Sequence, residues 1–414
     1  MKKMLLVFVA LALAGGGAFA QGWTFNGLAS GGFGMFFLEG DDDVRVAPIN
    51  WDAANTPFRT QLDARFANAD NTAGLTFRIR AQGHTAGLGN LPAAFDWGFG
   101  WMSFMDNMIT VQGGRVEYGF FAPLDRMHHQ EVGGGIGVQT IVRPMDGLVL
   151  GFGAFSAGTG AMTLDGTGNT TQMLGTFQLS YIMPDLLRVT AGLRTASNVG
   201  TSGFGNKQLW VVTDPTDPTD VNPFHATPSA GYLSFSYLGM PGLHAAFTAL
   251  FMNLDEFSDW GDMRFYATVG HTGLVENLDL RLGFSFGMLG NSDFRDADGY
   301  SNHIWVWLSG AYALSDIVVP RLDVHYVMGG LWTGFQQMHH WSVRNGATFE
   351  DEDSFIQIRP AVQFRVTAAS FVELGAILNF DLGNENYALA SWGPTRFTGH
   401  GTNIGVYALV RVSF

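Results

Sequence analysis

Of the 414 residues only 14% are charged, whereas 14% are aromatic and 55 are glycine, and the formal net charge is −14. A soluble globular chain carries about 25% charged residues, and an acidic balance lacks the basic footprint that nucleic-acid binding requires. Cysteine is absent, so no disulfide framework staples the chain.

The chain opens with Lys2 and Lys3, an apolar stretch from Met4 to Ala14 and the small-residue end Ala18-Phe19-Ala20. This three-part layout is that of a secretory signal peptide over residues 1–20, too short to span a membrane. Its removal takes two lysines away and leaves 20 basic residues against 36 acidic ones, a net charge of −16. No run of at least about 18 uncharged apolar residues offers a spanning helix. The uncharged stretch from Gly147 to Leu164 is broken by five glycines and by Ser156, Thr159 and Thr163, and reads as a strand and a loop. What remains is a large all-β architecture over 21–414: a soluble sandwich or propeller, or a membrane barrel.

Eighteen segments show apolar residues at every second position, the period of strands with one apolar and one wet face. They begin near Trp23, Phe58, Gly74, Phe95, Met108, Gly135, Leu148, Thr171, Leu187, Ser229, Gly242, Asp262, Leu278, His303, Val318, Ser354, Phe371 and Thr402. If the weaker segments at Leu148 and Ser229 are not strands, the count falls to sixteen. Short turns are expected around Asn71, Asp106, Pro144 to Gly147, Asp185, Pro241, Glu276, Asp316 and Ala369. Between them lie longer polar stretches such as Glu39 to Thr56, Ala196 to Pro228, Gly330 to Asp353 and Asp381 to Gly401. Strict alternation of short turns with long loops predicts an up-and-down antiparallel barrel with its turns in the periplasm, and a sandwich or propeller has no reason to keep it. The last segment alternates through Ile404, Val406, Ala408, Val410 and Val412 to the terminal Phe414, and is expected to close on the first, removing both sheet edges. This end resembles the signature that the barrel-assembly machinery of diderm bacteria reads in outer-membrane proteins.

Charges on the wet faces of such a barrel point into the lumen, because an arginine facing lipid at mid-depth costs about 2–4 kcal/mol. The inward set holds Arg59, Arg65, Arg78, Arg80, Arg188, Arg194, Arg264, Arg281, Arg321, Arg359, Arg365 and Arg411 against Asp63, Asp279, Asp323 and Glu373. Outside the leader there are nineteen arginines and one lysine, Lys207, so the wall uses the planar, permanently charged fork. Some of these arginines brace the wall through pairs. Asp63 is expected to face Arg78 or Arg80, and Arg365 to face Glu373. Twelve cations cannot all pair with four carboxylates, so the remainder meets water, loop carboxylates or anionic solutes. The loop carboxylates, among them Asp41 to Asp43 and Glu350 to Asp353, read as a solvated surface with lipopolysaccharide-bridging cations as an alternative.

The segment Val111-Gln112-Gly113-Gly114-Arg115-Val116-Glu117-Tyr118-Gly119, followed by Asp125, Arg126, Glu131 and a glycine-rich re-entry at Gly133, resembles the Gly-Arg-x-x-Tyr-Gly stretch of general bacterial porins. In that family the loop after the fifth strand folds into the lumen. The resemblance implies a constriction in which Arg115, Glu117, Asp125 and Glu131 lie across from Arg59, Asp63, Arg65, Arg78 and Arg80, with a transverse field between them. Eighteen strands are closer to sugar porins, which leaves the solute open. Trp305 and Trp307 read as interface anchors, with ring stacking in the lumen as the alternative, and the doublets His128-His129 and His339-His340 as loop residues.

The function expected is therefore a porin for passive diffusion of small hydrophilic solutes across the outer membrane. The alternatives are a surface adhesin or structural barrel and a substrate-specific transporter of sugars or hydrophobic solutes. No acid, base or nucleophile constellation points to an enzyme, and no cofactor or metal is called for. An energised receptor needs a plug domain before its first strand, which starts here just after Ala20. The partners expected are outer-membrane lipids, lipopolysaccharide and the assembly machinery, with a homotrimer left open.

Overall fold

The computed structural model describes residues 22–38, 44–49, 58–82, 93–116, 135–157, 172–195, 229–252, 254, 262–289, 303–328, 354–382, 388–390, 396–398 and 403–413. Two strands, β1 (Trp23–Leu38) and β2 (Val44–Ile49), open the chain. Eight short turns then join β3 (Phe58–Ala67) to β4 (Ala73–Gln82), β5 (Ala93–Phe104) to β6 (Ile109–Val116), β7 (Gly135–Met145) to β8 (Leu148–Ala157) and β9 (Gln172–Met183) to β10 (Leu187–Arg194). They continue with β11 (Ala230–Tyr237) to β12 (Leu243–Met252), β13 (Asp262–Thr272) to β14 (Leu278–Leu289), β15 (His303–Tyr312) to β16 (Val318–Met328) and β17 (Ser354–Thr367) to β18 (Ser370–Asp381). A small separate pair, β19 (Ala388–Ala390) and β20 (Arg396–Thr398), precedes the last strand, β21 (Asn403–Ser413).

From β3 to β18 each strand pairs antiparallel with the next, β1 pairs with β2 and β3, and β21 pairs with both β18 and β1, so the sheet closes. Along one edge of β1, Gly32 to Phe37 face β2 while Trp23 to Gly31 face β3. β2 and β3 thus occupy one position in the wall, interrupted by residues 50–57, and the barrel has eighteen positions. Every expected segment is present, its start within two residues of the expected one, and the existence of β8 and β11 excludes the sixteen-strand alternative. The stretches read as polar loops, Glu39 to Thr56 and Asp381 to Gly401, carry additional short strands, β2 and the β19–β20 pair.

Turn chemistry explains the sharp reversals. Asn71, Asp185 and Asn277 have φ of 51°, 55° and 65°, a left-handed conformation that the short polar side chains of Asn and Asp tolerate. Gly147 has φ 77°, and a Cβ there would meet the Ile182 carbonyl oxygen at 2.4 Å, so this turn requires glycine.

Alternation divides the wall into two faces. Met102, Ile136 and Leu282, exposed by 53%, 58% and 45%, share the outer face with Phe247, Phe284, Val372 and Val406. The inner face carries Gln139, Gln178, Ser234, Thr248, Gln357 and Asn379, all buried. An apolar exterior around a polar interior is the arrangement of a transmembrane barrel, in which lipid meets the outer residues. Near the closing seam the interior also holds an apolar cluster of Phe36, Phe371, Ile377, Tyr407 and Leu409.

Replacing Leu282, midway along β14 on the outer face, by Arg is expected to destabilise the barrel by about 2–4 kcal/mol. Urea unfolding in phospholipid vesicles measures this, and a change below about 1 kcal/mol would mean that this face does not meet lipid.

Candidate functional site

Two basic patches lie on the inner wall on either side of the seam. In the first, the register sets Asp63 opposite Arg78 and Gln61 opposite Arg80. Arg78 Nε donates to Asp63 Oδ1 at 2.5 Å, and Gln61 Nε2 donates to Asp63 Oδ2 at 2.6 Å. Arg59 Nη2 donates to Gln61 Oε1 at 2.6 Å, and Arg80 Nη2 reaches the same oxygen at 3.4 Å. One glutamine therefore links a carboxylate to two guanidinium groups, and Arg59, Arg78 and Arg80 are held in a row as one network. Arg65 stands further toward the short-turn end, where its Nη2 donates to Asn71 Oδ1 at 3.1 Å.

Behind this row β5 turns aromatic rings inward. The register that runs from Ala73 opposite Met102 puts Trp97 opposite Arg78, and a shift just beyond it brings Phe95, not Asp96, opposite Ile79. The Arg78 guanidinium lies 4.9 Å from the Trp97 ring centroid and that of Arg65 lies 5.2 Å from Trp101, so ring faces stabilise both cations. The glycines of β5 take the outer positions, with Gly100 paired to Gly113 of β6, while Gly114 stands opposite the inward Phe99.

The second patch spans β14 to β18 and β21. Arg359 Nη2 donates to Asp323 Oδ2 at 2.8 Å, Ser309 Oγ donates to Asp323 Oδ1 at 2.5 Å, and Arg321 lies 3.7 Å from the same carboxylate. Arg321 also approaches Glu373 at 3.6 Å. Glu373 accepts from Gln363 Nε2 at 2.7 Å and from Tyr407 Oη at 2.9 Å. The expected pairing of Arg365 with Glu373 is corrected. A bulge between Arg365 and Thr367 offsets the ladder, so Gln363 faces Glu373 and Arg365 faces Phe371. Arg365 instead donates through Nε and Nη2 to Gln363 Oε1, at 3.0 and 2.9 Å. Arg281 and Asp279 form a more exposed pair at 3.0 Å.

Trp305 and Trp307 belong to this inner face, since they pair with Ser285 and Gly283 of β14, which corrects their reading as interface anchors. Trp305 Nε1 donates to His325 Nδ1 at 3.2 Å and its ring lies 7° from parallel to the imidazole. This bracket escapes a sequence reading because only the register brings Trp305 and His325 together.

Of the residues expected at a constriction, Arg59, Asp63, Arg65, Arg78 and Arg80 share one inner patch. Glu117, Asp125 and Glu131 lie outside the described residues, as do the two histidine doublets. Arg115 pairs with Gly98 and Ile136, and alternation thus puts it in the outer row, away from the lumen row of Gln112. Arg143, inward on β7, escaped notice because Pro144 beside it marks a turn. It donates to the Asn107 carbonyl and to Thr110 Oγ1, both at 3.0 Å.

The inner wall is unevenly packed. Arg264 and Leu250 are 1% and 0% exposed, whereas Arg65, Arg78 and Arg80 keep part of their surface open.

No protein-family model matches this sequence, and no curated protein is significantly similar to it. Its fold is similar to that of the outer membrane protein OprD from Pseudomonas aeruginosa, at 10% identity and a TM-score of 0.52 over 95% of each chain. Pseudomonas aeruginosa OpdQ is similar at 9% identity and a TM-score of 0.53, over 95% of this chain and 98% of that one.

Replacing Asp323 by Asn strips the buried Arg359 of its carboxylate and is expected to cost about 3–5 kcal/mol. Asp279→Asn, at the more exposed pair, is expected to cost less than about 1 kcal/mol. Urea midpoints of the two refolded variants check the contrast, and equal losses would contradict it.

Proposed function

We propose that the chain, after loss of residues 1–20, is an outer-membrane porin: a water-filled channel for passive diffusion of small hydrophilic solutes. The observation that carries this reading is the reversal of polarity across one closed wall, apolar residues facing out and a charged, hydrogen-bonded network facing in. A structural barrel needs no such interior, since an apolar or fully paired filling is cheaper than rows of guanidinium groups. The similarity in fold to OprD, an outer membrane protein, supports the location.

Within this reading the patch of Arg59, Arg78 and Arg80 forms one side of the constriction, and Glu117, Asp125 and Glu131 the other. Fixed charges in a narrow aqueous passage act on passing ions with less screening than at an open surface. Their sign therefore governs selectivity and their effect grows at low salt.

Planar-bilayer recording of the refolded protein tests the proposal, and a steady conductance is expected. The double substitution Arg78→Gln and Arg80→Gln removes two cations and deprives Asp63 of its Arg78 partner. It is expected to shift the reversal potential toward cation preference, most strongly at low salt. An unchanged potential in a folded double variant would remove this patch as the filter.

A further inference from the structure

Turn tips favour Gly, Asn, Asp, Pro and Ser, yet six consecutive hairpins of this barrel carry a large apolar residue at or beside the tip. Met105 stands between β5 and β6, Met145 between β7 and β8, Leu186 between β9 and β10, Met240 between β11 and β12, Leu274 between β13 and β14 and Leu314 between β15 and β16. All six are open, exposed by 51–72%. They stand at one end of the barrel, over twelve of its eighteen wall positions. A partner protein would need such residues gathered in one patch. Apolar residues spread round a ring at one depth match a layer that surrounds the barrel, and a lipid leaflet is such a layer.

Depth and charge identify the part of the leaflet. Tyr181, Tyr237 and Tyr312 stand on the outer face near the turn-side ends of β9, β11 and β15, and such rings settle at headgroup level. Met240 and Leu314 follow Tyr237 and Tyr312 by three and two residues. At about 3.3 Å per residue and a tilt near 40° that is at most about 5–8 Å along the barrel axis, against about 5–7 Å for a headgroup layer. The tips thus lie among headgroups. Five of the six hairpins also present an exposed carboxylate, Asp106, Asp146, Asp185, Glu276 and Asp316. None of the eight short turns contains Lys, Arg or His. A rim with carboxylates and no cation repels an anionic headgroup and accepts hydrogen bonds from an ammonium one.

We propose that the short-turn rim from β5 to β16 is a lipid-docking surface, immersed in the headgroup layer and selective for lipids with an ammonium headgroup that donates hydrogen bonds over anionic ones. It rests on the transmembrane barrel and not on conduction, so a barrel that passes no current leaves it intact. The chain has no cysteine, so Leu274→Cys and Leu314→Cys each carry one fluorophore at a chosen tip. In vesicles holding the refolded full barrel, lipids with a nitroxide at the headgroup are expected to quench both labels, and aqueous acrylamide to quench them less than it quenches the free dye. Acrylamide quenching equal to that of the free dye would put the rim in water, open to a protein partner, and overturn the proposal. Spin-labelled phosphatidylethanolamine and phosphatidylglycerol, compared in phosphatidylcholine vesicles, test the selectivity. The ethanolamine lipid is expected to occupy positions next to the barrel about two- to threefold more than the glycerol lipid, the scale of one exposed ion pair. Asp146→Asn, Glu276→Gln and Asp316→Asn combined are expected to lower that ratio, and the difference between the two proteins isolates this rim from the rest of the lipid contact. Should the combined variant fail to refold, Asp146→Asn alone is measured, with a smaller drop expected. A ratio that is the same in the native and the folded variant protein overturns the proposal.

Discussion

Backbone N–H and C=O groups that face hydrocarbon have no water to bond, so a sheet in lipid must pair every strand on both edges. Here that demand falls on β1, whose residues Leu28 to Leu38 meet β21 on one edge while Trp23 to Phe37 meet β3 and β2 on the other. The remaining architecture follows from it. A closed ring of antiparallel strands with both ends on one side needs an even count, each strand must alternate between two faces, and the interior must be filled or wetted by whatever the inward positions carry. Close to the seam, glycines permit this. A Cβ at Gly405 would meet the Phe36 ring at 2.5 Å and one at Gly375 the Tyr407 hydroxyl at 2.5 Å, so these rings lie flat across the facing strands where β21 closes on β1.

The fold was legible because period-two alternation and turn chemistry are local signals. Asn71, Asp185, Gly147 and Asn277 mark their reversals without reference to any partner strand. What escaped depends on pairing. One bulge moves Arg365 from Glu373 to Phe371, and no local feature of Arg365-Val366-Thr367 announces it. A second, just beyond Arg78, sets Phe95 and not Asp96 opposite Ile79. β5 shows why hydrophobicity misleads there. Its rings Trp97, Phe99 and Trp101 would be sent outward by an apolar count and its glycines inward, yet the observed faces are the reverse, because arginines of β3 and β4 need the ring faces. The candidate site was half legible for the same reason: the arginines of β3 and β4 declare themselves by alternation, while Arg143 and the Trp305–His325 bracket require the register.

The preference for arginine over lysine becomes intelligible in this wall. A guanidinium can donate to a carboxylate and lie over a ring with the same group, as Arg78 does with Asp63 and Trp97, and an ammonium point charge cannot meet both geometries. Glutamine extends the reach of each carboxylate. Gln61 carries the influence of Asp63 to Arg59 and Arg80, and Gln363 stands between Arg365 and Glu373. The wall is therefore basic yet ordered, because a few carboxylates fix some guanidinium groups directly and neutral amides and rings pass that order on to others.

Order of this kind has a consequence for transit. Where guanidinium groups are oriented in advance, a passing anion need not pay to organise them, and its attraction arises at once. Strong attraction alone would trap the solute, so passage needs several weak positions and not a single deep one. The distribution of the inner groups meets that condition. Toward β11 to β13 the inner wall is densely packed, with Tyr232, Leu250, Arg264 and Tyr266 all buried, and partly open cations lie on both sides of it, Arg65, Arg78 and Arg80 on β3 and β4 and Arg281 and Arg321 on β14 and β16. On the β3 and β4 side the row of Arg59, Arg78 and Arg80 shares the Asp63 carboxylate through Gln61, while Arg65 stands beyond it on Asn71 and the Trp101 ring, so successive cations have different neighbours.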